Sequence, residues 1–284
     1  MNSNVPMKSP ESNLAVATAS KVNAMLKTNK AAIMATLPVG FNYDRMCRSV
    51  INAVSTTPEL AKCTPASIFL STVRAFSLGL EPNGALAEGY LVPFWNSKKQ
   101  SNEAQFMPGY RGLITLSRRS GKIANVYAQA VYSEDVFEVE LGTERKIVHK
   151  PNFLKARGQA VCYYAVFQGT DGYSDFEVMT IEEIEKVRMS SKSGNSGAWK
   201  IWTDEMAKKT VLRRLLKRAP MSIELADAVN LDNKIAMGED VTDVITIEGL
   251  EIDDSTSADV QEAINADRLE SVKERINAAA DTLV

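Results

Sequence analysis

The hydrophobic period changes in the middle of this 284-residue chain, and that change limits the fold more than any other feature. The segments "EGYLVPFW", "KIANVYAQAVY", "VFEVEL", "QAVCYYAVFQ" and "DFEVMT" are rich in Val, Tyr and Phe, with turn residues such as "NG", "GT" and "TDG" between them. They predict strands of a mostly antiparallel sheet. On the N-terminal side the period is helical. Leu14 to Lys27 is helix-compatible, and "YDRMCRSVINAV" and "TPASIFLSTVRAFSLGL" follow, the last with Thr64 as N-cap, Pro65 at the first helical position and Gly79 at the C-terminus. "GYRGLITLSRRSG" between the first two strands predicts a short helix closed by Gly121. "TIEEIEKVRM" predicts another, with a Thr cap and acidic residues in its first turn. The Gly/Ser-rich "SSKSGNSG" after it is expected to be a mobile loop.

The sharpest element is a helix from about Trp199 to Arg218, stopped by Pro220. Leu212, Leu215, Leu216 and Ala219 fall on one face, whereas Lys209, Arg213 and Lys217 recur every four residues on another, widened by Lys208, Arg214 and Arg218. The apolar face is expected to anchor the helix to the sheet.

Composition removes several function classes. No run of about 18 uncharged apolar residues occurs, and the Ser/Asn/Pro-rich start lacks the basic region and apolar core of a secretory signal, so a soluble, cytoplasmic protein is expected. Cys47, Cys63 and Cys162 are widely spaced in apolar contexts and read as core residues rather than zinc ligands or disulfides. His149 is the only histidine, which excludes a His-based metal cage and predicts a structural role near a strand end. Gly121-Lys122 is followed by Ile123, and Leu116 stands where a phosphate loop needs its first glycine, so no nucleotide cradle is expected.

The net charge of −2 hides a strong asymmetry. Residues 1–222 carry 29 Lys and Arg against 19 Asp and Glu, and residues 223–284 carry 4 against 16. Such a split suggests a polyanion-binding body with an acidic appendage. Residues 1–13 are expected to be disordered, 14–230 to form the binding and oligomerisation core, and 231–284 to be an acidic linker with a short amphipathic helix. Leu269, Val272, Ile276 and Leu283 give that helix near-heptad spacing.

Basic residues meet aromatics and glycines in "YLVPFWNSKK" and "GYRGLITLSRRSGK", and a denser basic run stands in "MAKKTVLRRLLKR". Lys and Arg neutralise phosphates, aromatic faces stack on any base, and glycines let backbone amides approach closely, which is what single-stranded DNA requires. At these residues the chain resembles the RecT family of phage and prophage recombinases, a branch of the RecT and Redβ superfamily. "LGLEPNGALAEGYLVPF", "MPGYRGLITLSRRSGKI", "KIVHKP", "DFEVMT", "SGNSGAW" and "EMAKKTVLRRLLKRAPMSIE" follow one another in the family's order, over roughly residues 45–230.

The resemblance implies an α+β fold: a small, mostly antiparallel β-sheet packed on a long helix, with extra N-terminal helices and an acidic C-terminal tail. It also implies a homo-oligomer, ring or helical filament, that anneals complementary DNA strands in homologous recombination at the nucleoid of a bacterial host. No ATP, metal or other cofactor is implied, and the protein is expected not to be an enzyme. A phage exonuclease and the host single-strand binding protein are the expected partners of the tail. Arg111, Arg118, Arg119, Lys208, Lys209, Arg213 and Arg214 are the expected phosphate contacts, with Lys98, Lys99, Lys122 and Lys192 in second rank. Tyr110, Phe94 and Trp95 are the candidate base contacts. Two other readings stand beside this one. Glu134, Asp135, Glu138 and Glu140 could hold Mg²⁺ in a nuclease, Glu138 and Glu140 sharing one face of a strand, or the chain could be a purely structural oligomer.

Overall fold

A computed structural model describes residues 10–191, 194–195, 197–239, 241 and 250. The expected disorder of the first residues, the contact at Lys192 and the amphipathic C-terminal helix fall wholly or mostly outside them. The described residues divide into two compact units, one containing residues 10–85 and 90–106, the other lying within residues 86–89 and 107–241.

The first unit is helical with one hairpin. Its helices are α1 (Pro10–Thr28), α2 (Lys30–Thr36), α3 (Tyr43–Thr56), α4 (Pro58–Ala61) and α5 (Pro65–Ser77). Strands β1 (Gly89–Asn96) and β2 (Ser101–Pro108) pair as a two-stranded sheet. The expected caps of α5 are present: Thr64 Oγ1 accepts from the Ser67 N–H, Pro65 opens the helix, and Gly79 takes φ +63° just beyond its end. Val22, Ile33, Val50, Val54, Ile68, Phe69 and Phe76 are fully buried here.

The second unit is built around an antiparallel sheet in the order β3 (Ile123–Tyr132), β6 (Ala160–Gly169), β7 (Ser174–Thr180). β6 is central, and its unbroken apolar run follows from having both faces covered. Tyr163, Ala165 and Phe167 face α9 (Thr203–Leu216), where the Tyr163 hydroxyl donates to Asp204 at 2.8 Å. Cys162, Tyr164 and Val166 face the other way, into a cluster with Val131 and Phe176 that is closed by Phe137 and Ile147. Those two residues come from the hairpin of β4 (Val136–Glu140) and β5 (Lys146–Lys150). Helices α6 (Tyr110–Arg119), α7 (Ile181–Ser190), α8 (Ala198–Ile201) and α10 (Ile223–Ala236) complete the unit. α7 opens with the full capping box between Thr180 and Glu183.

The α+β class stands, and Leu212, Leu215 and Leu216 of α9 are fully buried as expected. Three features differ from the sequence reading. The expected helix from Trp199 is broken at Trp202 into α8 and α9. β2 and β5 are additional strands. The boundary expected after Asn230 falls inside α10, whose Leu231, Asp232 and Ile235 are buried. In the loop after α7, Arg188 Nη1 donates to the Gly194 carbonyl at 3.1 Å and to Asn195 Oδ1 at 3.2 Å.

Candidate nucleic-acid interface

α6 starts where the chain is tightest. The Gly109 N–H donates to the Glu88 carbonyl at 2.8 Å, and a Cβ at Gly109 would lie 2.8 Å from the Ala87 carbonyl, so only glycine fits without a shift. Gly112, Leu113, Leu116 and Ser117 face inward, and Gly121, at φ +69°, turns the chain out of the helix. That leaves Arg111, Arg118, Arg119 and Lys122 exposed. Arg111 and Arg118 lie two turns apart on one stripe, about 10 Å along the axis. Arg118 donates to the neutral Asn125 Oδ1 at 3.1 Å, and among the described residues no acidic side chain pairs with it. Among the described residues neither Arg111 nor the Lys122 ammonium has an acidic partner. Arg118 and Arg119 also sit in the last turn, where cations offset the helix dipole.

Tyr110 is placed differently from the base platform expected of it. Its hydroxyl accepts the Ala128 N–H at 2.9 Å, which ties α6 to β3, and burial raises its pKa.

The basic face of α9 is not an open surface. Lys209 is buried, with Nζ 2.5 Å from Asp232 Oδ1, and Arg213 donates to Asp232 Oδ2 at 2.9 Å. Burial pushes the Lys209 pKa down, while Asp232 pulls it back up. Arg214 pairs with Glu177 at 2.8 Å and Glu183 at 3.0 Å, and Lys208 with Asp204 at 2.6 Å and Glu205 at 3.1 Å. Arg218 pairs with Asp175 and Glu177. Lys209 and Arg213 fasten α9 to α10, Arg214 fastens it to β7 and α7, Arg218 ties the turn after it to β7, and Lys208 pairs within α9 itself, so the sequence expectation of a solvent-facing row at Lys209 and Arg213 is corrected. Helical spacing shows which residues share a face, but not that Asp232 of a later helix lies over it.

In the first unit, the turn joining β1 to β2 presents Lys98 and Lys99, the latter 3.2 Å from Glu103. Trp95 beside them is 51% exposed and Phe94 is half-buried.

Asp135, read from sequence as a possible metal ligand, serves the second unit internally. Its side chain is fully buried and accepts from Arg157 Nε at 2.8 Å, Arg157 Nη2, and the backbone N–H groups of Tyr132 and Asn152. His149 Nε2 lies 3.0 Å away, with Nδ1 3.1 Å from the Tyr164 hydroxyl. The guanidinium of Arg157, helped by His149 and the two amides, holds the Asp135 carboxyl well below the usual carboxylate range. Glu138 and Glu140 are exposed on β4, and among the described residues no group of three or more Asp, Glu, His or Cys side chains converges on a point. The sequence signals for this hub were the lone histidine in "KIVHKP" and the nearby "KARG".

A sequence model of the RecT family matches residues 44–246. The Protein RecT of Escherichia coli (strain K12) is 40% identical over 230 residues, covering 80% of this chain and 85% of that protein. The chain belongs to the RecT family. A more distant relative, the Uncharacterized protein YqaK of Bacillus subtilis (strain 168), is 26% identical over 206 residues, 72% of this chain and 69% of that protein. The RecT match begins in α3 and runs past α10, so it takes in the exposed cations of α6, the ion-paired cations of α9 and the Asp135 hub. Membership of the RecT family gives the chain a role in DNA recombination. Among the described residues no helix is long and apolar enough to cross a membrane.

Proposed function

We propose that the chain binds single-stranded DNA and anneals it to a complementary strand, without ATP and without cutting it. The observation that carries this reading is the exposed pair of Arg111 and Arg118 on one stripe of α6, with exposed Lys122 just beyond the helix, in a RecT chain: three cations whose charge no acidic side chain among the described residues offsets. Cations placed this way release counterions from phosphates and grip the backbone of any sequence. The bases are then left to find their complement. Annealing itself is downhill, since stacking supplies roughly 1.4 kcal/mol per base-pair step, so the protein has to align strands rather than drive them.

Several copies side by side would give one long track, and the turn of Lys98 and Lys99 with Trp95 is a second contact of the same kind. The acidic segment beyond α10 is then free to recruit an exonuclease or a host single-strand binding protein. The test mixes purified protein with two complementary oligonucleotides, one carrying a fluorophore and the other a quencher, in EDTA without nucleotide. Quenching faster than in the protein-free control, with both strands intact on a denaturing gel, is the expected result. Shortened strands would make the protein a nuclease, and no acceleration would leave it without an annealing activity.

A further inference from the structure

We propose that Phe153 and Leu154, at the tip of the loop between β5 and β6, form a base-stacking wedge, with Lys150 and Lys155 holding the neighbouring phosphates. The inference rests on the DNA-binding reading above and adds a contact made by apolar surface rather than charge. Phe153 is 78% exposed and Leu154 96%, adjacent in sequence and both large. Exposed side chains on a loose loop would mean little, but this loop is held from inside. Asn152 and Arg157, on either side of the tip, are both bonded to the buried Asp135 carboxylate. The Leu154 N–H donates to Asn152 Oδ1 at 3.2 Å, and Glu134 and Ser133 donate backbone N–H groups to the carbonyls of Arg157 and Gln159 at 3.1 and 2.9 Å.

The Arg157 guanidinium lies 4.3 Å from the Tyr132 ring centroid and 5.2 Å from that of Phe153, so one cation sets the direction of the tip and is itself fixed by Asp135. A backbone anchored this firmly keeps both apolar residues at the tip, and less loop-ordering entropy remains to be lost on binding. The flanks identify the partner. Lys150 and Lys155 are exposed with no acidic partner among the described residues, whereas an apolar tip meant for a protein core has no need of uncompensated cations beside it. Large apolar side chains placed among cations are the means by which DNA-binding proteins enter base steps, and an aromatic ring stacks on bases of any identity.

The experiment compares the full-length wild-type chain with Phe153→Ala/Leu154→Ala, Phe153→Trp and Lys150→Ala/Lys155→Ala, using a mixed-sequence single strand carrying 5-bromodeoxyuridine. Both tip residues are exposed, so melting temperatures should be unchanged. The double tip variant is expected to bind the strand about 5- to 150-fold more weakly, the range for losing a base stack, with an unaltered salt slope. Phe153→Trp should keep wild-type affinity and show DNA-dependent quenching of the added tryptophan. Photocrosslinking should attach the strand to the peptide containing residue 153. The lysine variant should instead flatten the salt slope. Wild-type affinity in the double tip variant, or no crosslink at the tip, overturns the wedge while leaving DNA binding in place. A tip variant that falls apart into smaller oligomers without DNA makes the tip a contact between copies and also overturns it. A wild-type chain that does not bind the strand removes the DNA-binding reading, and the wedge with it.

Discussion

Asp232→Asn tests the reassignment of the α9 cations from solvent to interior. Asp232 lies 2.5 Å from Lys209 Nζ and 2.9 Å from Arg213 Nη1, and at an effective dielectric constant of about 20 each contact is worth roughly 6 to 7 kcal/mol of gross attraction. Desolvation of the buried Lys209 and Asp232 and the half-buried Arg213 offsets most of that, so the intact triad stabilises little. Removing the anion leaves the Lys209 ammonium buried without its counterion and Arg213 with only the residue-232 carbonyl, a loss of about 3 to 5 kcal/mol. In a protein of this size that lowers Tm by about 6 to 20 °C, read by circular dichroism at neutral pH. Burial already sets the Lys209 pKa below its unfolded value, so between the two values the unfolded chain holds more protons and stability rises with pH. Without Asp232 the gap widens, and the variant should recover part of its loss as pH approaches the ordinary lysine range. Lys209→Met, which leaves the Asp232–Arg213 pair, should be milder and should keep wild-type affinity for single strands. A near-unchanged Tm in Asp232→Asn, or weakened DNA binding by a fully folded Lys209→Met, would refute the buried triad.

Three further outcomes follow from the packing and charges. Leu212→Ala deletes a fully buried side chain at the contact of α9 with the sheet and should cost about 2 to 5 kcal/mol, seen as a lower urea midpoint. The Asp135 carboxyl titrates well below its unfolded value, so its contribution is complete above about pH 4 and is lost as pH falls further. The Tm gap between wild type and Asp135→Asn should therefore be widest near neutrality and close in acid. Ending the chain after Val241 should leave folding and strand affinity intact, whereas ending it after Asn230 removes the buried Leu231, Asp232 and Ile235 and should destabilise the protein.

Much of the fold was legible because local chemistry and tertiary packing agree. Thr64, Pro65 and Gly79 mark α5, Thr180 and Glu183 mark α7, and the apolar run from Cys162 to Phe167 marks a strand covered on both faces. β2 was missed because polar residues are buried in it beside Ala104 and Phe106, which removes the apolar alternation. Ser101, Glu103 and Gln105 are buried, and Glu103 is satisfied by Asn96 and Lys99, neighbours that only the folded hairpin brings together. α10 was hidden by the acidic composition around it, since Asp232 reads as a tail residue until Lys209 and Arg213 are seen facing it. Within the candidate site, the exposure of Arg111, Arg118 and Arg119 on α6 and of Lys122 just beyond it could be read from sequence, because the apolar residues of this short helix take up its inward face. On α9 the same reasoning failed at Lys209 and Arg213, because both the apolar face and part of the charged one are covered.

The most direct measurement is the salt dependence of single-strand affinity for the wild-type chain and for Arg111→Ala/Arg118→Ala/Lys122→Ala. All three side chains are exposed, so the variant should fold and melt like the wild type. If they neutralise phosphates, log affinity plotted against log salt should lose about 0.7 of slope per contact removed, about 2 in total, with weaker binding to every sequence alike and slower annealing. A variant with the wild-type slope, affinity and annealing rate would contradict the account.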